Sequence, residues 1–173
     1  MRAPAFLLAL ASCAHAGPAA PPLRTVGRVD LSRYAGTWYE IAAIPQSFQK
    51  GCVATTATYT LRPDGEVDVL NRCRKERLDG EEKSAKGRAW VVDSETNAKL
   101  KVSFFWPFRG DYWIVDLDPD YRWAVVGHPD RTYGWILSRT PGMDEKTYEA
   151  ILGRLREQAY DTARFGRTLQ PAG

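Results

Sequence analysis

The sequence predicts an all-β domain, either a sandwich or an up-and-down barrel, with one helix packed on its outside. Eight short segments rich in β-branched and aromatic residues follow one another at regular spacing, with turn residues and no helical pattern between them. One later segment has the apolar spacing of an amphipathic helix. The 173 residues correspond to one domain with a short appendage, and a domain of that size buries enough surface to fold without a metal.

The first residues are predicted to be a secretory signal that is not part of the fold. Met1 and Arg2 form a short positive start, residues 3–10 are apolar but too few to span a membrane, and small residues follow. The sequence LASC at residues 10–13 resembles a bacterial lipoprotein box, which places cleavage before Cys13 and lipid on its sulfur. An A-x-A pattern allows cleavage after Ala16 instead.

These signals divide the chain into three parts. Residues 1–12 are predicted to form the signal peptide, residues 13–28 a tether rich in Pro and Ala, and residues 29–173 the domain. Lipid on Cys13 would hold the protein on a membrane, because membrane binding grows with each buried methylene group. The net charge is only +3 and no block of basic residues stands out, so composition does not indicate a nucleic-acid partner.

The strand predictions rest on alternation between apolar and polar residues. In the third segment Val67, Val69 and Asn71 share one face, and the fifth segment contains the alternating run LKVSF. The eight predicted strands are GTWYEIAAI (36–44), ATTATYTL (54–61), EVDVLNRC (66–73), KGRAWVVD (86–93), AKLKVSFF (98–105), DYWIVDLD (111–118), RWAVVGH (122–128) and TYGWILSR (132–139).

One helix is predicted within residues 143–160. Asp144 and Glu145 favour its N-terminus, because carboxylates stabilise the positive end of the helix dipole. Its single apolar stripe must pack on the outside of the strands. The stripe consists of Tyr148, Ile151, Leu152, Leu155 and Ala159.

Two cysteines, Cys52 and Cys73, remain after the predicted signal. An even number in an oxidising compartment makes a disulfide the default expectation. The tight turn at residues 62–65 does not place the two opposite each other unless a bulge or kink before Ala54 shifts the register. A free thiol in the interior is the alternative.

The segment GTWYE resembles the signature of the lipocalin family. Two later segments agree with it in the right order, KVSFFWPFRGDYWIVDLD and YRWAVVGHPDRTYGWILSRTP, and the resemblance covers about residues 29–170. The match is nearest to the lipoprotein lipocalins of the bacterial outer membrane, which are similar to apolipoprotein D. It implies an eight-stranded antiparallel up-and-down β-barrel shaped like a cup, with the C-terminal helix on its side.

The resemblance also implies a structural role for three signature residues. Gly36 would allow a tight turn into the barrel floor. Trp38 would plug the closed end of the barrel. Arg139 would lie across the indole ring in a cation–π contact that closes the base.

The resemblance and the strand alternation together imply the ligand site. The expected lining of the cavity is Tyr59, Asn71, Phe104, Tyr112 and Trp135, with Trp90, Val67 and Val69 as further candidates. The expected ligands are fatty acids or lysophospholipids, since eight-stranded barrels hold one small ligand. An aromatic loop at residues 105–108 is expected at the rim, where it would touch a membrane or guide an acyl chain.

Two other function classes remain open from the sequence. An enzyme is not expected, because His128 is the one histidine of the domain and no Ser/His/Asp arrangement, phosphate loop or zinc site is visible. Some lipocalins isomerise ligands with a cysteine in the cavity. Cys73 lies two positions after Asn71 on the same face of the predicted strand, so it would face the interior as well. The third class is a surface-anchored interaction protein whose cavity is filled. No cofactor is expected, a homodimer is possible, and the expected location is the bacterial outer membrane, facing the periplasm.

Overall fold

The computed structural model describes residues 20–172, and its main element is a closed β-barrel. Each strand pairs antiparallel with the next, and the first pairs with both the second and the last. The predicted eight-stranded antiparallel barrel is thus confirmed. The strands are β1 (Gly36–Ala43), β2 (Cys52–Leu61), β3 (Val67–Lys75), β4 (Glu82–Val91), β5 (Lys99–Phe105), β6 (Phe108–Leu117), β7 (Trp123–Gly127) and β8 (Gly134–Ser138).

The two ends of the barrel differ. A short helix, α1 (Leu31–Tyr34), lies at the end where β1 begins and forms the closed end. The loops β1–β2, β3–β4, β5–β6 and β7–β8 lie at the opposite, open end, because successive antiparallel strands reverse direction. A 3₁₀ turn, Ser47–Gln49, forms part of the β1–β2 loop.

The predicted outer helix is α2 (Glu145–Glu157). Asp144 caps it, because its carboxylate accepts a hydrogen bond from the Thr147 backbone N–H at 2.9 Å. Four predicted stripe residues are buried against the outer wall of the barrel, but Ala159 is exposed and lies beyond the helix with φ at +61°. Tyr160 packs in its place, because the left-handed residue redirects the chain.

The apolar residues form two separate cores. One fills the lower barrel interior around Trp38, and the other lies between α2 and the outer faces of β1, β6, β7 and β8. The barrel wall is therefore buried on both sides where α2 covers it, which explains the continuous apolar run Ala124–Gly127 in β7.

The expected tether does not extend through residue 28. Leu23 is buried in the core beneath α2, and the Val26 backbone N–H donates to the Ile114 carbonyl at 3.0 Å. Residues 23–28 therefore pack along the barrel, because apolar side chains interrupt the Pro- and Ala-rich stretch. Cys13 and both predicted cleavage sites lie outside the described residues. Within residues 20–172 no helix has the length and apolarity needed to cross a membrane.

A late segment of the chain fills a gap in the barrel wall. β1 pairs with β2 over its first four residues only. Beyond that point Ala42 and Ala43 pair with the two-residue strand β9 (Gly166–Arg167), and the Leu169 carbonyl accepts a hydrogen bond from the Ala54 N–H at 2.7 Å. Residues 166–170 thus lie between β1 and β2 near the open end, and we call this region the seam.

The cysteines are joined. Cys52 and Cys73 form a disulfide that connects residues 21 positions apart. The register of β2 against β3 shifts between Val53 and Thr56, where Ala54 has φ at +49°. The disulfide therefore links two adjacent strands across the expected irregularity, and neither sulfur is a free thiol.

Candidate ligand-binding cavity

The floor of the barrel is built around Trp38, which is fully buried. The Arg139 guanidinium carbon lies 3.7 Å from the Trp38 ring centroid, a close cation–π contact. Arg139 also donates to the carbonyls of Thr37 at 3.1 Å and Arg33 at 2.6 Å. Gly36 has φ at +97°, and a Cβ there would meet the Arg139 guanidinium at 3.2 Å, so both conformation and space favour glycine.

Three tyrosine hydroxyls form a hydrogen-bonded chain above this floor. The Tyr112 hydroxyl lies 2.8 Å from that of Tyr34 and donates to that of Tyr59 at 2.8 Å. Two contacts use two of the three hydroxyl protons, so one proton remains available as a donor. A free space of about 20 Å³ lies beside the chain, room for about one water molecule. The lower half of the barrel is therefore filled.

The tyrosine hydroxyls remain neutral at physiological pH. Burial raises the pKa of Tyr59 to about 12, with the Tyr112 hydrogen bond opposing the rise. Burial likewise raises the pKa values of Tyr34 and Tyr112 well above the usual value for a phenol. The chain can offer hydrogen bonds but no charge to a ligand.

Apolar side chains of β3, β5 and β6 line the inner wall. Val67 and Val69 are buried there, and Phe104 lies against Gly87 of the neighbouring strand. A Cβ at Gly87 would approach the Phe104 ring to 2.8 Å, so the glycine makes room for that ring. The structure therefore places on the inner face five of the side chains that were expected there: Tyr59, Val67, Val69, Phe104 and Tyr112.

The inner wall is exposed to solvent toward the open end. Ala85 pairs with Asn71 across β3 and β4, so both lie on the inner face, yet Ala85 is exposed. The Asn71 side-chain oxygen is buried and has no hydrogen-bond partner among the described residues. The upper half of the barrel is thus an open cup whose wall carries one unpaired acceptor.

Trp135 lies at the mouth of the cup and is held from two sides. Its ring stacks on Tyr133 with centroids 5.9 Å apart, and its indole N–H donates to the Gln49 side-chain oxygen at 3.1 Å. Tyr133 in turn stacks on Phe48 at 6.5 Å. These aromatic rings form a continuous surface from the inner wall to the outside of the open end.

A buried carboxylate connects the mouth to the seam. Glu40 accepts hydrogen bonds from the Gln49 amide at 2.8 Å and the Thr168 hydroxyl at 2.6 Å. Burial raises the pKa of Glu40, and the two hydrogen bonds oppose that rise. Glu40 therefore joins the β1–β2 loop, which contacts Trp135, to the segment that fills the wall.

The expectation for Trp90 is corrected by the register. Ala89 pairs with Val102 on the inner face, so the next residue, Trp90, points outward beside Lys101. Trp90 lines an open groove on the outer surface together with Lys86 and Arg88. It lies outside the cup because alternation along β4 leaves the small residue Ala89 inside.

Sequence reasoning missed Tyr34, Glu40 and Gln49. Glu40 shares a strand face with Trp38, and a charged residue on an inward face was a usable signal. Tyr34 and Gln49 lie in short helical turns outside the strands, where no alternation reports their orientation.

The described residues contain no cluster suited to metal binding. Within residues 20–172 no group of three or more His, Cys, Asp or Glu side chains is arranged to hold an ion. His128 lies in the β7–β8 loop, where Nδ1 is 2.6 Å from an Asp130 carboxylate oxygen. The site offers apolar walls and neutral hydrogen-bonding groups, which suits binding.

Comparison with known proteins agrees with this geometry. A family model described as a lipocalin-like domain matches residues 29–170. The chain belongs to the lipocalin family. It is 41% identical to temperature-induced lipocalin-1 of Arabidopsis thaliana, over 86% of this chain and 83% of that protein. It is 40% identical to the outer membrane lipoprotein Blc of Escherichia coli K12, over 87% of this chain and 86% of that protein. It is 34% identical to bovine apolipoprotein D, over 80% of this chain and 71% of that protein.

Solved structures share the fold of this lipocalin. Insecticyanin from the tobacco hornworm Manduca sexta superposes with a TM-score of 0.69 at 23% identity, covering 87% of this chain and 85% of that one. Lobster apocrustacyanin A1 superposes with a TM-score of 0.64 at 19% identity, covering 82% of this chain and 79% of that one. The resemblance inferred from GTWYE is confirmed, and family membership supports binding of a small hydrophobic ligand.

Proposed function

We propose that this lipocalin binds one amphipathic lipid, a fatty acid or a lysophospholipid, in the open cup. The proposal rests on one observation: the inner wall above the tyrosine chain is apolar and opens to solvent, as exposed Ala85 beside Asn71 indicates. An acyl chain would lie along the upper inner wall beside Phe104. Each buried methylene contributes about 0.8 kcal/mol before ordering costs, so a long chain is sufficient for micromolar affinity.

The polar end of the ligand would be held by neutral hydrogen-bonding groups of the cup. Asn71 carries the unpaired oxygen, and its amide nitrogen is a donor to a carboxylate or phosphate. Tyr59 and Tyr112 supply neutral hydroxyls at the bottom of the cup. This set favours an amphipathic molecule over a purely apolar one.

We further propose that the protein acts in a bacterial cell envelope, on the periplasmic side of the outer membrane, where it stores or carries lipid. The LASC sequence with Cys13 and the similarity to outer membrane lipoproteins support this location. The Cys13→Ser variant is expected to move from the membrane fraction to the soluble fraction. An unchanged membrane fraction would count against lipid attachment.

The binding test is a titration with a fluorescent fatty acid followed by displacement with a lysophospholipid. Trp135→Ala is expected to weaken binding about 10-fold or more, because it removes an aromatic wall at the mouth. Trp90→Ala is the matched control, since it removes the same side chain from the outer face and should leave affinity unchanged. Equal affinities of the two variants would exclude Trp135 from the site.

The filled lower barrel favours a second candidate, an interaction protein without a ligand. The free space beside the tyrosine chain is only about 20 Å³. This candidate predicts no saturable binding of either lipid by a chain whose circular dichroism shows an intact fold. One-site binding with displacement would exclude it.

A further inference from the structure

The β5–β6 hairpin carries three exposed aromatic side chains within four residues. Phe105 is 77% exposed, Trp106 78% and Phe108 77%. Single exposed apolar residues are ordinary on protein surfaces, but a contiguous group of large aromatics indicates a contact with another apolar phase.

Other exposed apolar residues lie at the same end of the barrel. Phe48, in the β1–β2 loop, is 68% exposed, and Leu78, in the β3–β4 loop, is 40% exposed. Together with the hairpin, these residues place apolar side chains on three of the four open-end loops. We call Phe48, Leu78, Phe105, Trp106 and Phe108 the apolar rim.

Basic side chains accompany the rim. The Arg109 guanidinium lies 5.6 Å from the Trp106 ring centroid, and exposed Lys50 lies two positions after Phe48. Neither basic residue forms an ion pair with a carboxylate among residues 20–172. Aromatic rings at the headgroup level with cations beside them are typical of a surface that contacts phospholipid, because the cations meet the anionic headgroups.

The N-terminal segment reaches the domain at this same end. The Pro21 carbonyl accepts a hydrogen bond from Arg131, which lies in the open-end β7–β8 loop. The segment then runs toward the closed end, where the Val29 N–H donates to the Thr96 carbonyl at 2.7 Å. Cys13 precedes Pro21 by eight residues, a span that reaches at most about 29 Å when extended.

We propose that the apolar rim docks on a phospholipid bilayer, so that the mouth of the cup faces the membrane. The exposed rings enter the headgroup region while Arg109 and Lys50 remain at the phosphate level. A lipid anchor on Cys13 would act on the same membrane face, because the chain enters the domain beside the rim, and tethering raises the effective concentration of the rim at that surface. The docking does not depend on which ligand the cup holds.

The test is co-sedimentation with vesicles of phosphatidylethanolamine and phosphatidylglycerol. All variants carry Cys13→Ser, so no lipid anchor contributes and every N-terminus is the same. Phe105→Ser/Trp106→Ser is expected to lower the vesicle partition coefficient about 10-fold per ring removed. Val92→Ser is the matched control, since Val92 is a 51% exposed apolar residue at the closed end, and its partition should equal that of the parent.

Two further measurements identify the surface that binds. In the lipidated protein, quenchers placed near the headgroups should reduce tryptophan emission, and Trp106→Phe should remove most of that quenching. The rim variants should keep their melting temperature and their affinity for free fatty acid, because these rings lie outside the cup. Failure of docking is therefore distinguishable from failure of ligand binding.

Three results would overturn the proposal. The first is absence of the parent from the vesicle pellet at every lipid concentration. The second is equal sedimentation of the parent and the double variant. The third is a concentration-dependent dimer that Phe105→Ser/Trp106→Ser abolishes without any vesicle binding. That result would assign the rim to a second copy of the chain.

Discussion

The closed and open ends of this barrel use aromatic residues in opposite ways. At the closed end Trp38 is fully buried, its indole N–H donates to the Tyr34 carbonyl, and Arg139 covers its face. At the open end Trp106 is 78% exposed and contacts Arg109 at a longer distance. The same type of side chain therefore stabilises the fold where it is buried and forms a contact surface where it is exposed.

Replacing Trp38 should produce the largest effect on stability. Trp38→Ala is expected to lower the free energy of unfolding by about 3–5 kcal/mol, because it opens a cavity between the floor and the tyrosine chain. Trp106→Ala at the open end should change it by less than about 0.5 kcal/mol. Urea denaturation measures both, and a loss under about 1 kcal/mol for Trp38→Ala would contradict its role in the floor.

The two arginine–tryptophan contacts should also contribute differently to stability, the one at the closed end contributing more. Arg139→Met removes donors to several backbone carbonyls of the entry turn, and we expect a loss of about 2 kcal/mol. Arg109→Met, which removes a cation from an exposed ring, should cost less than about 0.5 kcal/mol. Similar losses in both variants would mean that the closed-end contacts are not specifically stabilising.

Removing one hydroxyl of the tyrosine chain should show how much the paired hydroxyls stabilise the closed end. Tyr112→Phe removes the central hydroxyl and leaves those of Tyr34 and Tyr59 without this partner, at an expected cost of about 1–2 kcal/mol.

The raised pKa values of the same tyrosines predict alkaline sensitivity. The folded chain keeps these protons after the unfolded chain begins to lose them near pH 10, so stability should fall as pH rises above that value. Absorbance of tyrosinate should show these groups ionising only with unfolding. Ionisation of all tyrosines near pH 10 in folded protein would contradict the buried chain.

Glu40 should have the smallest effect on stability. It lies toward the open end but is buried, so burial is not confined to the closed end. Its folded pKa is raised above 4.5, so the folded state holds the proton more tightly. The contribution of Glu40 to stability should therefore be fully present below pH 4.5 and be lost as pH rises through its raised pKa. Glu40→Gln should flatten this part of the pH profile in thermal denaturation, and an unchanged profile would assign the slope to other groups.

Strand alternation explains how much of the molecule the sequence predicted. Val69, Phe104 and Tyr112 lie on the inner face because their strands alternate with period two, and GTWYE identified the floor. Trp90 could not be placed, since both faces of β4 carry apolar residues there.

The rest depends on contacts between distant parts of the chain. Trp135 meets Gln49 86 positions away, and Glu40 meets Thr168 128 positions away. No local pattern reports such contacts, so the seam and the polar link between the mouth and the wall were visible only in the structure.

The seam also has a consequence for the order in which the barrel forms. Its hydrogen bonds join residues up to 130 positions apart, whereas neighbouring strands elsewhere, apart from the paired β1 and β8, are joined by short loops. Forming such distant contacts carries the larger loop-closure entropy, so we expect the hairpins to assemble first and the wall to close last. The amide hydrogens of Thr168 and Ala54, which donate across the seam, should then exchange with solvent faster than those of β7. A lateral opening beside the mouth would thus be the easiest local unfolding of this lipocalin.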